Sequence, residues 1–202
     1  MLLRCLLVLV LAAPALAPAA TILVFGDSLS SAYGIERNRG WATLLQQRLD
    51  EKRLDYKIVN ASISGETTAG GASRMAGALA SSRPAIVIIA LGANDGLRGL
   101  SLGAMRANLE AMVRSSRKSG AKVLLVGMRL PPNFGPEYGE KFQQVFRDIA
   151  ARERIASVPF LLEGFAEKPE LFQPDGIHPV VSAQALLLEN VWKGLAPLLK
   201  QR

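Results

Sequence analysis

The chain contains one histidine, His178, three residues after Asp175 in the run Pro174-Asp175-Gly176-Ile177-His178-Pro179. Pro and Gly mark this run as a loop. A carboxylate so close can accept from the imidazole Nδ1 and fix its tautomer, which leaves Nε2 free as a base. Such a base needs a nucleophile, and Ser28 in Gly26-Asp27-Ser28-Leu29-Ser30 is the leading candidate, because it opens a turn of small residues just past an apolar run. Attack on a carbonyl also calls for preorganised donors to the developing oxyanion, a contribution often worth ~3 kcal/mol or more. The backbone N–H groups of Ser28 and Gly65 and the neutral side-chain amide of Asn94 would supply them, with Gly65 allowing close backbone approach to a substrate. Taken singly, each has an ordinary structural reading: a Ser after a strand often caps a helix, and Gly and Asn commonly make turns. Taken together, they point to acyl transfer.

These residues must be positioned by the elements around them. Runs 21–25, 56–60, 85–91, 122–127 and 155–158 are apolar, of strand length and rich in Val and Ile. Their continuous apolarity predicts burial on both faces, the habit of a parallel sheet. Amphipathic stretches over 41–52, 67–81, 103–119, 137–152 and 182–199 predict helices between and after them. The alternation predicts one α/β domain, a three-layer α/β/α sandwich around a five-stranded parallel sheet. Ligands of open sheets bind beyond the carboxyl ends of the strands. The residues singled out above stand there: Ser28 after the first run, Gly65 after the second, Asn94 after the third, and Asp175 and His178 in the long loop after the fifth.

Gly26 to Ser30, the run Ser62-Ile63-Ser64-Gly65-Glu66, the run Gly92-Ala93-Asn94-Asp95 and Asp175 to Pro179 resemble, in order, the four sequence blocks of the SGNH hydrolase (GDSL esterase/lipase) family. The likeness spans residues 22 to about 195. It is nearest to a branch of secreted bacterial thioesterases that also act as lysophospholipases and arylesterases, on the strength of residues 60–68, 91–99 and 129–135. The resemblance implies a flavodoxin-like SGNH hydrolase fold, Ser28 as nucleophile, His178 as base, Asp175 as its acidic partner, and Ser28, Gly65 and Asn94 as oxyanion donors. It also implies that the loop 96–102 responds to the acyl chain. Ala93 stands where some family members carry a second Gly, so loop mobility is not carried over. Apolar Leu97, Leu100, Leu102, Pro131, Pro132, Phe134 and Phe172 are candidates for an acyl groove.

A competing pattern, Gly99-Leu100-Ser101-Leu102-Gly103, fits the G-x-S-x-G elbow of another hydrolase class. That elbow requires a sharp turn directly between strand and helix. Ser101 stands well beyond the third strand and reads instead as a helix cap. Asp27 and Asp95 follow strand ends, where carboxylates commonly hold loops by accepting backbone N–H bonds. With one Cys, one His and no acidic cluster of hard-cation spacing, no metal and no cofactor is expected.

Of the 202 residues, 50% are hydrophobic and 20% charged, which places the chain among globular rather than disordered proteins. A net charge of +7 raises the question of nucleic acid. The basic residues are scattered and aromatics amount to only 6%, so no basic stripe interleaved with stacking rings exists and no nucleic-acid partner is expected. Residues 1–19 read as a secretory signal peptide: Arg4, an apolar run broken by Pro14 and Pro18, and the small-x-small end Ala17-Pro18-Ala19. Cys5 would leave with it. The expectation is a monomeric periplasmic or secreted enzyme of residues 20–202 that acts on small-molecule acyl esters or thioesters, with contact to lipid substrates at membranes. A carbohydrate O-acetylesterase of envelope polymers and a non-catalytic acyl-binding protein are the alternatives.

Overall fold

A computed structural model describes residues 19–199. The expected leader therefore lies, Ala19 apart, outside the described residues. Five strands form one parallel sheet: β1 Ala20–Gly26, β2 Tyr56–Asn60, β3 Ile86–Ala90, β4 Lys122–Val126 and β5 Ala156–Val158, in the spatial order β2-β1-β3-β4-β5. This is the doubly wound order in which the chain builds outward from β1 to one side and then returns to the other, which leaves a crevice beyond the ends of β1 and β3. Both expectations, of fold class and of parallel pairing, hold.

Strand side chains alternate between two cores. Ile22, Val24, Ile86, Ile88, Leu124 and Val126 face one layer, with Trp41, Leu45 and Leu49 of α1 (Trp41–Glu51) and Leu187, Val191 and Leu195 of α6 (Gln184–Leu195). Leu23, Phe25, Val87, Ile89, Val123 and Leu125 face the other. There they meet Met75 of α2 (Thr68–Ser82), Leu109 of α4 (Leu102–Lys118) and Phe142 of α5 (Pro136–Glu153). The period of two is the pleat of the strand, and both faces are covered because helices pack on each. β2 departs from the expectation of burial on both faces: only Tyr56 of its five residues is buried, since an edge strand lacks a neighbour on one side.

The short helix α3 (Ala93–Leu97) stands where the sequence pattern suggests a loop. Asn, Asp and Gly make it a poor helix by propensity, and tertiary contacts hold it. Asp95, 3% exposed, accepts from the Thr68 backbone N–H at 2.8 Å and from the Thr68 hydroxyl at 2.6 Å, which ties α3 to the first turn of α2. Asn108 of α4 donates to that hydroxyl at 3.2 Å. Asp95 thus anchors the loops after β2 and β3 to each other rather than bracing its own turn. The expected last helix is shorter, because the chain passes through a helical turn at Val181–Ala183 before α6, and another at Ala196–Leu198 after it. Among the described residues no helix is long and apolar enough to cross a membrane.

Thr68→Val removes the hydroxyl while keeping the shape, and leaves one buried oxygen of Asp95 without its donor. Urea unfolding is expected to show a loss of about 1–3 kcal/mol, and an unchanged midpoint would mean that the contact carries no net stability.

Candidate active site

β1 ends at Gly26, and the next residue organises the turn that follows. The Asp27 carboxylate accepts from the Leu29 N–H at 3.0 Å, while its carbonyl accepts from the Ser30 and Ser31 N–H groups at 3.1 and 3.0 Å. Ser28 therefore rides on a tight turn at the carboxyl edge of the sheet. Its Oγ lies 2.8 Å from His178 Nε2. His178 Nδ1 lies 2.7 Å from Asp175 Oδ2. The other oxygen of Asp175 accepts from the backbone N–H groups of Ile177 and His178 at 2.9 and 3.0 Å.

These bonds determine protonation. The His178 backbone N–H, with smaller contributions from the Ile177 N–H and the imidazole, lowers the Asp175 pKa to about 2. An ionised Asp175 is an acceptor only, so Nδ1 carries the imidazole proton and Nε2 accepts from the serine hydroxyl. The Tyr33 ring packs against the imidazole with centroids 4.4 Å apart, which limits its rotation.

The three expected oxyanion donors converge on the same crevice. Neither the Ser28 N–H nor the Gly65 N–H has an acceptor among the described residues. Gly65 has φ +78°, a conformation that side chains disfavour, and the space at its Cα faces the guanidinium of Arg98. Asn94 sits in the first turn of α3, and its amide donates to the Glu66 carbonyl at 3.0 Å and more weakly to Asp27 at 3.4 Å. One N–H is thus held firmly and orients the amide, while the longer contact is the one an oxyanion could replace.

A cavity of about 600 Å³ opens at Ser28 and runs beneath the loops after β4 and β5. Its walls include Leu97, Pro131, Pro132 and Phe172, as expected, together with Met128, Leu130, Phe160 and Leu162, which the sequence pattern did not single out. Three expected groove residues are elsewhere. Leu100 is exposed on the loop before α4, Leu102 packs at the start of α4 against the core, and Phe134 closes the helical turn Pro132–Phe134 off the cavity wall. Ser101 accepts from the Ala104 N–H at 3.3 Å and caps α4.

Residues 24–186 match the model of the GDSL-like lipase/acylhydrolase family. The chain belongs to that family. It is 52% identical to Esterase TesA of Pseudomonas aeruginosa over 183 residues, covering 91% of this chain and 91% of that one. To the Thioesterase 1/protease 1/lysophospholipase L1 of Escherichia coli it is 36% identical over 182 residues, covering 90% of this chain and 86% of that one. The fold superposes on a crystal structure of TesA with a TM-score of 0.87 at 52% identity, over 89% of this chain and 99% of that one. Membership in the GDSL family makes this protein a hydrolase, and the four sequence blocks are the segments that the fold gathers at one sheet edge.

This GDSL-family site contains one costly group. Asp27 is 2% exposed, and burial outweighs its hydrogen bonds, so its pKa is raised to about 7 from an ordinary value of 3.8. The folded state then binds more protons than the unfolded chain between those two values, and stability falls as pH rises from about 4 to about 7 and levels off above. Asp27→Asn cannot ionise and removes this slope. Relative to the parent protein, its unfolding free energy is expected to gain about 2–4 kcal/mol between pH 4 and pH 8 in urea titrations. Parallel curves for the two proteins would contradict a buried, protonatable Asp27.

Proposed function

We propose that the protein is a serine hydrolase that cleaves carboxylic esters and thioesters, including aryl esters, acyl-CoA and lysophospholipids, through an acyl-enzyme on Ser28. The observation that carries this reading is the unbroken chain from Asp175 through His178 to Ser28, with contacts of 2.7 and 2.8 Å, at the mouth of an apolar cavity. Ser28 Oγ attacks the carbonyl carbon as His178 Nε2 takes its proton, and Asp175 stabilises the imidazolium that forms. The Ser28 and Gly65 N–H groups and the Asn94 amide receive the oxyanion. Collapse of the tetrahedral intermediate expels the thiol or alcohol, which takes the proton from Nε2. Water, deprotonated by the same nitrogen, then releases the acid and restores Ser28.

The apolar cavity supports a fatty acyl group in preference to the acetyl group of a decorated sugar, since a single methyl would leave most of the walls unfilled. The contact between Ser28 and His178 supports catalysis in preference to acyl binding alone. Among the exposed large hydrophobic residues, Tyr33, Ile63, Leu100 and Ile177 all stand on loops at the carboxyl edge, and this supports contact with lipid substrates at a membrane surface. The protein acts as a monomer, each residue of the site coming from one chain, and it works in the periplasm or outside the cell as residues 20–202 after removal of the leader.

Ser28→Ala is expected to lower the hydrolysis of a short-chain aryl ester by several orders of magnitude, whereas Ser101→Ala keeps at least about a tenth of it. The reverse order would assign the nucleophile to Ser101. Asn94→Ala is expected to reduce kcat ~10²–10³-fold while KM changes less than about fivefold, because the lost bond forms in the transition state. Unchanged kcat would remove Asn94 from the oxyanion site. Edman sequencing of the exported protein is expected to begin near Ala20, and a retained Met1 would mean an uncleaved anchor.

A further inference from the structure

Ser28 and His178 are brought together from loops 150 positions apart, yet each loop's own hydrogen bonds set only its internal shape. Two glutamines join the loops. Gln184, 3% exposed at the start of α6, accepts from the Trp41 backbone N–H at 3.0 Å and donates to the carbonyls of Pro179 and Val180, both at 3.4 Å. The Trp41 indole N–H donates in turn to the Leu29 carbonyl at 3.0 Å. This buried path runs from the residue after Ser28 to the residue after His178.

Gln173 makes the second path, nearer the surface. Its backbone N–H donates to the His178 carbonyl at 2.7 Å, and its side-chain amide donates to the Tyr33 carbonyl at 2.9 Å and to the Pro179 carbonyl at 3.3 Å. Tyr33 is itself tied back, its N–H donating to the Ser28 carbonyl at 3.3 Å. The fit is close: Gly34, with φ +72°, would place a Cβ 2.0 Å from the Gln173 amide oxygen, so only glycine allows the bridge to form.

We propose that Gln173 and Gln184 are positioning residues that fix the distance between Ser28 Oγ and His178 Nε2 by clamping the nucleophile loop to the base loop. This rests on the reading of Ser28 and His178 as nucleophile and base. Within the base loop, the bonds between Asp175 and His178 and the bridge between Phe172 and Pro179 do not depend on either amide side chain. Loss of a glutamine therefore moves the Asp175–His178 pair as a unit relative to Ser28. A misplacement near 1 Å is enough to cost ~100-fold in rate.

The test uses Gln173→Leu, Gln184→Leu and Trp41→Phe, the last of which keeps an aromatic ring in the core while deleting the indole N–H together with the ring that carries it, and covers the case in which Gln184→Leu fails to fold. Each is expected to lower kcat for a short-chain aryl ester about 10- to 100-fold with KM changed less than about threefold. The rate of labelling by a fluorophosphonate should fall by the same factor. Because the chain has one histidine, a single downfield proton resonance reports the Nδ1–H bond to Asp175. That resonance should persist in the variants. Val113→Ala, in the core on the other side of the sheet, should lower the melting temperature and leave kcat unchanged. Full kcat in folded Gln173→Leu and Trp41→Phe would overturn the proposal, as would a loss of kcat that accompanies loss of the Nδ1–H resonance. Retained activity in Ser28→Ala would instead overturn the nucleophile assignment on which the proposal rests.

Discussion

The contact of 2.8 Å between Ser28 Oγ and His178 Nε2 is the constraint on which the rest of the structure depends. Neither loop is stable as a free segment in the geometry required, because ordering each backbone residue costs roughly 1–2 kcal/mol. The parallel sheet resolves this by presenting the end of β1 as a fixed platform, with fully buried strand residues on both faces at Ile22, Leu23, Val24 and Phe25. The segment after β5 brings the base loop to that platform before α6 packs beside α1 on the sheet. Rigid strands hold the chemistry at their ends, and the loops are left to shape the cavity.

The same turn that presents Ser28 carries its main electrostatic liability. Asp27 shapes the turn through the Leu29 N–H and contacts Asn94, but it does so from a buried position with Asp95 nearby, and both circumstances favour the neutral acid. Asp175 is the opposite case, since it meets two backbone N–H groups and the imidazole at the surface and remains ionised. Two carboxyl groups in one site are thus driven apart in pKa by burial of one and by hydrogen bonding to the other. The ionised one fixes the imidazole tautomer, whereas the buried one shapes the turn that presents Ser28.

The polar part of the site was legible in the sequence for a physical reason. A lone His beside an Asp, a Ser after a β-branched run and an Asn at another strand end are residues whose chemistry is tied to type and spacing, and the fold gathers them where an open α/β sheet places ligands. The apolar walls were not legible, because Leu in a loop looks the same whether it lines a cavity or packs a helix. Leu97 reached the cavity while Leu100 stayed exposed and Leu102 packed against the core, since α3 turns the chain between them. That helix itself was invisible to propensity: Ala93-Asn94-Asp95-Gly96-Leu97 is held by the bond that Asp95 accepts from Thr68, a partner 27 positions away.

The glutamines show the limit in its sharpest form. Gln has no strong preference for strand, helix or turn and no distinctive chemistry, so nothing in its spacing separates Gln173 and Gln184 from Gln143 or Gln144 on α5. What distinguishes them is the partners: their amides, with donors and an acceptor on one side chain, meet main-chain groups of Trp41, Pro179 and Val180 and of Tyr33 and Pro179, whereas Gln143 and Gln144 bond within α5. A loop rich in proline, such as 172–180, offers fewer backbone N–H groups for pairing with its neighbours, since Pro174 and Pro179 have none. Side-chain amides of Gln173 and Gln184 meet the Pro179 carbonyl, and a long neutral side chain does so without adding a charge beside Asp175 and His178. Side-chain amides, rather than a strand ladder, thus join the base loop to the nucleophile loop.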